Sequence, residues 1–505
     1  MLVLKGAHVM KIKNIFSMLL VFAMLMSICA CGSGTTPAAP NGSAETKPEY
    51  RITAKLTAAD AENKELAAHL TESCIISFTN TSADTWSSVC LRDYAAANLE
   101  IENSISDDKP YTPGSIREVK DSRGNALSFS VQEDKSVVYV QLPSPLKPGE
   151  RTSVSIDYST EIPCCFERLC WSPNGDDFTG ASTVCLSQSY PVLAEYIDGK
   201  WNETPYFTDG ECFFSPCGSY EMTLSAPEGY TVISTGSEAQ SADGTWTLKA
   251  DNVRDFAVIA GNGFEKLSGK AGSVTVNSWY YSGSGRDKKQ GEVSLKAAID
   301  AVNAFCDAWG EYPYDTLDVV QTPYNAGGME YPGLVRIAEM YADLIGAEGD
   351  ESLRLDVAHE VAHEWFYAVV GNDQYREAWL DESFAVYGEL VYQLYTGESE
   401  ADVQARVDSL DCTIKQKYVD LSYDQYFDEY TGNSYINAVY KVGPVFLWKL
   451  RQTMGQESFD AFMRAWYEEH MFKEVTTAEF RTAIEKASDS ADVKAILDEY
   501  LSPGK

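Results

Sequence analysis

The sequence predicts two folded domains, an all-β domain followed by a mixed α/β to α-helical domain, behind a removable leader. Three observations lead there. From Tyr50 to about Leu267 short alternating segments are separated by turn residues, and around Ser294 the apolar residues change to helical spacing. The first thirty residues contain an apolar run, Ile15 to Ile28, behind two lysines. At 505 residues, 44% hydrophobic and 12% aromatic, the chain is too long for one ordinary core and has the apolar side chains for two or three.

At the leader, Lys11 and Lys13 precede the run Ile15 to Ile28, which is about signal-peptide length and shorter than a membrane span. Met10 begins this pattern, so Met1 and Met10 are both candidate starts. The run ends Ile28-Cys29-Ala30-Cys31-Gly32, which resembles the lipobox of bacterial lipoproteins. That resemblance implies that Cys31 is lipidated and becomes the new N-terminus. Residues 32–48 are rich in Gly, Ser, Thr, Pro and Ala, as a flexible tether is. The expected organisation is a leader over 1–31, a tether over 32–48, a β-sheet domain over 49–268 and a second domain over 269–505. The folded part is expected outside the bacterial cytoplasm, held to the membrane by its lipid, since no other run of about 18 apolar residues appears.

A formal charge of -35 argues against nucleic acid and against an anionic bilayer surface as partners. It leaves a solvated acidic surface or cationic ligands such as peptide amino termini. Of twelve cysteines, Cys164, Cys165, Cys170, Cys185, Cys212 and Cys217 crowd one region, where disulfides are expected outside the cytoplasm, their pairing left open. The spacings do not form paired C-x-x-C units, so a structural zinc site is not expected there.

Along the β region, Thr152 to Tyr158 follows the turn Lys147-Pro-Gly149, and Tyr230 to Ser234 follows Pro227-Glu-Gly229. Leu295, Ile299, Val302, Phe305 and Trp309 then mark a helix, and Leu317 to Gln321 a strand. Ser352 to Val370 is a helical pattern ended by Gly371, Ala378 to Tyr395 is a second, and helices continue nearly to the C-terminus. Thr476 and Glu479 have capping-box spacing.

His359-Glu360-Val361-Ala362-His363 puts two imidazoles at i and i+4, on one helix face and one turn apart, where both reach a single zinc ion. Glu360 lies between them, in the position of a general base. Eighteen residues after His363 comes Glu382, in Trp379-Leu-Asp-Glu-Ser-Phe-Ala385 on the next helix. It completes the His/His/Glu set of a catalytic zinc site, one ion per chain. His69 and His470 have no such context and are expected at the surface.

This pattern resembles the aminopeptidase N family of gluzincin metallopeptidases, with its H-E-x-x-H, eighteen residues, then Glu in a W-L-N-E-G-F-A block. Asp381 and Ser383 replace the family's Asn and Gly, neither of which is a metal ligand. Gly327-Gly-Met-Glu-Tyr331 is similar to the family's G-A-M-E-N block, whose glutamate binds the substrate's free α-amine. The role falls on Glu330, and Gly327 and Gly328 allow a peptide close backbone approach. Tyr331 stands where the family has Asn. Tyr440-Lys-Val-Gly443, preceded by Tyr435, is similar to the family's tyrosine segment, which gives Tyr440 a hydrogen bond to the oxyanion.

Ser189-Tyr190-Pro191, Trp201 with Pro205-Tyr206, Ala226 to Tyr230 and Arg254-Asp-Phe-Ala257 resemble segments of the family's N-terminal sheet domain, with Gln188 near the substrate amine. The resemblance covers Tyr50 to about Tyr500. It implies a sandwich-like β domain, a thermolysin-like catalytic domain, a peptide substrate, and removal of amino-terminal residues outside the membrane. The chain ends at Lys505 without the long C-terminal helical domain of many relatives, which implies a more open cleft. Two alternatives remain at this point: a zinc endopeptidase, and a non-catalytic ectodomain that binds peptides or a partner protein.

Overall fold

A computed structural model describes residues 47–59, 67–105, 111–112, 114–173, 182–207, 210–283, 285–339, 346–411, 418–422 and 434–503. Cys31, the leader and nearly all of the tether lie outside the described residues. Among the described residues no helix is long and apolar enough to cross a membrane.

The first domain is built from strands that bury alternate residues. Glu49–Thr57 alternates buried and exposed side chains along its whole length, the period-2 pattern of a strand with one face on a core. It pairs antiparallel with Ala68–Thr79 and parallel with Gly218–Ser225, at the centre of a seven-stranded sheet. A four-stranded sheet carrying Trp86–Arg92 and Val137–Leu146 shares its core: Ile52, Leu70 and Ile156 of the first pack with Val89, Leu91 and Val140 of the second. This is the all-β domain that the alternating segments predict, in the sandwich-like arrangement that the resemblance implies. One helix, Tyr94–Ile105, is added, and another four-stranded sheet contains Leu169–Pro173 and Ser182–Leu186.

The second domain opens on a five-stranded sheet in the order Phe264–Ala271, Val274–Tyr281, Thr316–Thr322, Leu334–Ala338, Gly328–Tyr331. The sequence-derived boundary at 268/269 falls inside the first of these strands, which pairs along its length with Val274–Tyr281. Alternation continues across a domain border when both domains use half-buried antiparallel strands, so periodicity carries no signal there. The edge strand Gly328–Tyr331 pairs antiparallel with Leu334–Ala338. Helix Gly285–Ala308 covers the sheet, followed by Ala347–Ala362, Trp379–Thr396 and further helices up to Tyr500. Thr476 and Glu479 form the expected capping box at the start of Thr477–Ala487.

One helix end departs from the periodicity. The pattern predicts a helix from Ser352 to Val370, whereas the helix runs Ala347–Ala362 and His363 is its cap. Residues 365–369 are apolar and buried, as the helical pattern expects, but other elements claim the polar groups of the segment that starts at Glu364. Glu364 accepts the Gly333 backbone N–H at 2.9 Å, the Trp365 indole donates to the Gly310 carbonyl at 3.0 Å, and Arg254 donates to the Tyr367 carbonyl at 2.8 Å. Tyr367 is left at φ 137°, sparsely populated for a residue with a Cβ and tolerated where the surroundings over-determine it.

Arg254 is a buried polar tie between the domains. Besides Tyr367 it bonds the Ser215 carbonyl at 3.4 Å, the Lys473 carbonyl at 3.1 Å and the Glu474 carboxylate at 2.5 Å. Gly371 makes room for it, since a Cβ there would lie 2.1 Å from the guanidinium carbon. A buried cation with this many partners is costly to remove, because the acceptors lose their donor together. Arg254→Ala is expected to destabilise the protein by about 3–5 kcal/mol, measured by denaturant unfolding, with an unchanged midpoint as the opposing result.

Candidate active site

The metal-ligand helix Ala347–Ala362 lies on the sheet, and the following helix Trp379–Thr396 packs against that helix and against helix Gly285–Ala308. The second is fixed at its start by Trp379, whose indole donates to Thr477 at 2.8 Å and whose ring lies 5.3 Å from Phe480 and 5.7 Å from Phe384. Each such aromatic pair adds about 0.5–1.5 kcal/mol beyond burial. His359, His363 and Glu382 thereby converge.

The two Nε2 atoms are 3.3 Å apart, and Glu382 Oε2 lies 3.2 Å from His359 Nε2 and 3.6 Å from His363 Nε2. Two ligands about 2.1 Å from a tetrahedral zinc are about 3.4 Å apart, so these three atoms have the spacing of zinc donors. Burial alone would raise the Glu382 carboxyl, but hydrogen bonds from both imidazoles hold it below the usual carboxylate range.

The outer nitrogens are oriented by groups absent from the motif. His359 Nδ1 is 2.9 Å from Glu389, and His363 Nδ1 is 2.5 Å from Asp381, which also accepts the Gln374 amide at 2.5 Å. Glu389 pairs in turn with Arg406. Sequence analysis missed Glu389, although it stands two helical turns beyond Glu382 on the same face. It treated Asp381 only as a substitution. Each is a carboxylate behind a histidine, the arrangement that fixes tautomer and ring orientation at a metal.

Glu360 follows His359 on the same helix, is buried, and has one carboxylate oxygen without a hydrogen-bond partner. Burial pushes its carboxyl up to about 8. Gly328 faces it so closely that a Cβ there would stand 2.5 Å from the carboxylate. Gly328 therefore makes room for Glu360, a tighter constraint than substrate access, while Gly327 accepts the Ala338 N–H at 3.0 Å. Along the edge strand, Gly328 and Glu330 face the site while Met329 and Tyr331 enter the core. Glu330 is buried, carries one oxygen with no hydrogen-bond partner, and is pushed up to about 8 chiefly by burial. Glu364, bonded to both Gly333 and Tyr312, pins this block to the metal-ligand helix.

Tyr440 sits in a five-residue π-helical turn, Ala438–Val442, a distortion common at functional sites. Its ring lies 6.1 Å from the His359 ring and its hydroxyl is within hydrogen-bonding reach of Glu382. Ser383 explains how the turn is held. Its hydroxyl donates to the Val439 carbonyl at 2.7 Å and occupies the space where a Cβ on Gly443 would fall, 1.8 Å away.

Gln188 takes positive φ, 46°, and donates its amide to Asp255 at 2.8 Å. His69 is exposed, and His470 is half-buried with Nδ1 2.7 Å from the Trp466 carbonyl. Disulfides are not formed at Cys170, Cys185, Cys212 or Cys217, which are thiols. Cys170 faces Cys185 across paired strands.

Carboxylates with orphaned buried oxygens, around two imidazoles and a third carboxylate at zinc-ligand spacing, fit a divalent cation. Asp381→Ala and Glu389→Ala are each expected to weaken zinc binding about 10–100-fold in chelator competition. Gly328→Ala should displace Glu360 and lower turnover while metal content stays full. Unchanged affinity in the first pair, or unchanged turnover in the last, would count against these placements.

Residues 294–500 match the peptidase family M1 domain. The chain is 24% identical over 365 residues to aminopeptidase N of Lactococcus lactis subsp. lactis, covering 65% of this chain and 42% of that one. It is 25% identical over 293 residues to aminopeptidase N of Streptomyces lividans, covering 54% and 33%. The chain thus spans less than half the length of these two relatives. A crystal structure of a mutant M1 zinc metallopeptidase from Deinococcus radiodurans superposes with a TM-score of 0.63 at 16% identity, covering 91% of this chain and 95% of that one. Zinc is the cofactor on which the donor set and the family agree. Residues 294–500 thus carry a peptidase family M1 domain, and the chain is similar over a longer stretch to aminopeptidase N and in fold to an M1 zinc metallopeptidase.

Proposed function

We propose that the protein is a zinc aminopeptidase that removes amino-terminal residues from peptides, with His359, His363 and Glu382 as ligands and Glu360 as general base. The observation that carries the proposal is the buried, unpartnered oxygen of Glu330 beside the ligand set. A buried carboxylate oxygen without a donor is costly, and the α-ammonium of a peptide is a donor of the matching charge.

Glu330 accepts the α-ammonium and so sets which peptide bond lies over the three ligands. When bound, zinc polarises the carbonyl and acidifies the attacking water toward a pKa of roughly 7. Glu360 takes the water's proton and passes it to the leaving nitrogen. The Tyr440 hydroxyl, now at Glu382, turns to donate to the carbonyl oxygen as negative charge develops there. Asp381 and Glu389 keep both imidazoles facing inward through these steps.

Tyr331, the departure from the family block that raised the endopeptidase alternative, is buried in the core with 1% of its surface exposed. Its replacement of Asn does not widen the cleft beside Glu330, which favours exopeptidase action. The lipobox-like Cys31 and the tether support a place outside the bacterial cytoplasm, anchored by lipid. Metabolic labelling with a fatty acid, lost in Cys31→Ala, tests that anchor.

Incubation of the zinc-loaded protein with one peptide, free or acetylated at its amino end, should shorten only the free form by mass spectrometry. Internal cuts in both would establish an endopeptidase instead, and no cuts in either a binding module. Glu360→Gln is expected to keep zinc and lose turnover. Tyr440→Phe should slow turnover on the order of 100-fold. His359→Ala should lose zinc by elemental analysis. Full zinc in the last variant, or normal turnover in the first two, would remove the assigned role.

A further inference from the structure

Glu211 reaches the cleft from the β domain and is outside every motif that defines the site. It is buried, at 8% exposure. One of its oxygens pairs with Arg168, and the other has no hydrogen-bond partner. The pair is built in rather than lying on the surface. Arg168 also donates to the Gly210 carbonyl at 3.4 Å, touches the Met329 sulfur at 3.3 Å and lies over the Phe213 ring at 5.3 Å. Gly210, at φ 78°, lies against the Tyr435 side chain, where a Cβ would stand 3.1 Å from the phenol oxygen. Through Arg168 and Met329, Glu211 is thus tied to the strand that carries Glu330.

From there it lies within electrostatic reach of Glu330, Glu382 and Asp381, and of Tyr440. A bound peptide places its first α-carbon between the amine at Glu330 and the carbonyl near Glu382 and Tyr440. A group within reach of all three is therefore also within reach of the side chain of the first residue. Charge decides which side chain suits it. Glu211 and Glu330 each bury a carboxylate oxygen that has no donor, and a cationic donor satisfies such an oxygen best. The α-ammonium serves the one at Glu330. The one at Glu211 is served by a second positive group on the same residue.

Resting on the aminopeptidase assignment above, we propose that Glu211 selects substrates whose first residue is basic, lysine or arginine, by receiving its ammonium or guanidinium on the free carboxylate oxygen. The zinc-loaded full chain is assayed with arginine, lysine, leucine and alanine anilides, alongside Glu211→Gln. The variant is expected to lose about 30-fold or more in kcat/KM on the two basic substrates and to stay within threefold on leucine and alanine. A uniform loss on all four would place Glu211 on the α-ammonium and overturn the proposal, as would no loss on any. Calorimetry of arginine amide and leucine amide on the Glu360→Gln protein separates this test from turnover. Arginine amide should bind about tenfold tighter or more, and equal affinities overturn the proposal even if Glu211→Gln fails to fold. Absence of hydrolysis in the unaltered protein would instead remove the peptidase assignment and leave the binding comparison standing.

Discussion

Several carboxylates and two imidazoles are held together, out of water, around one point: His359, His363, Glu382, Glu360 and Glu330 are buried or nearly so, and Asp381 is fully buried. Like charges this close repel, and burial penalises each charged form further. Such a cluster persists only if a cation compensates it and if the rest of the fold leaves its members no other place to go. Much of the architecture follows from the second condition. The metal-ligand helix is stopped at Ala362, so that Glu364 and Trp365 turn outward to other elements while His363 stays at the cap.

The supporting contacts share a design in which a small residue leaves room for a functional one. Gly328 makes space for Glu360, Gly371 for Arg254 and Gly443 for Ser383. In the last pair a hydroxyl on one helix holds the π-helical turn of another and so sets the height of Tyr440 above His359. Ser383 and Asp381, both departures from the family pattern, thereby acquire structural work: one braces the tyrosine turn, the other orients a ligand. A neutral amide at position 381 would still accept from His363, but without the charge that raises the basicity of the imidazole.

The two domains are interdependent at the site. Arg254 of the β domain fixes the chain that leaves the metal-ligand helix, and Arg168 of the same domain, paired with Glu211, contacts Met329 next to Glu330. The strong negative charge, which composition alone leaves divided between a solvated surface and cationic ligands, is thus concentrated in part where a substrate's positive groups would lie. Steering of cationic peptides into such a cleft is a consequence of the summed field rather than of any one residue.

The sequence by itself singled out His359, His363 and Glu382 as candidate ligands, Glu360 as the candidate base, and an all-β region ahead of a helical one, because those depend on spacing along one chain. An i, i+4 histidine pair is a geometric statement about a helix, and period-2 and period-3.6 patterns report which face is buried. The end of the metal-ligand helix was not legible, since residues 365–369 are as apolar as a buried helix, and only contacts with Gly310 and Arg254, and that of Glu364 with Gly333, pull the segment out of it. The boundary near residue 268 was not legible either, because strands on both sides alternate alike. Asp381 and Glu389 behind the histidines, Ser383 against Gly443 and the pair Arg168–Glu211 were decided by tertiary structure alone. Each joins residues whose meeting depends on how helices and sheets pack, and packing leaves no periodic trace in the chain.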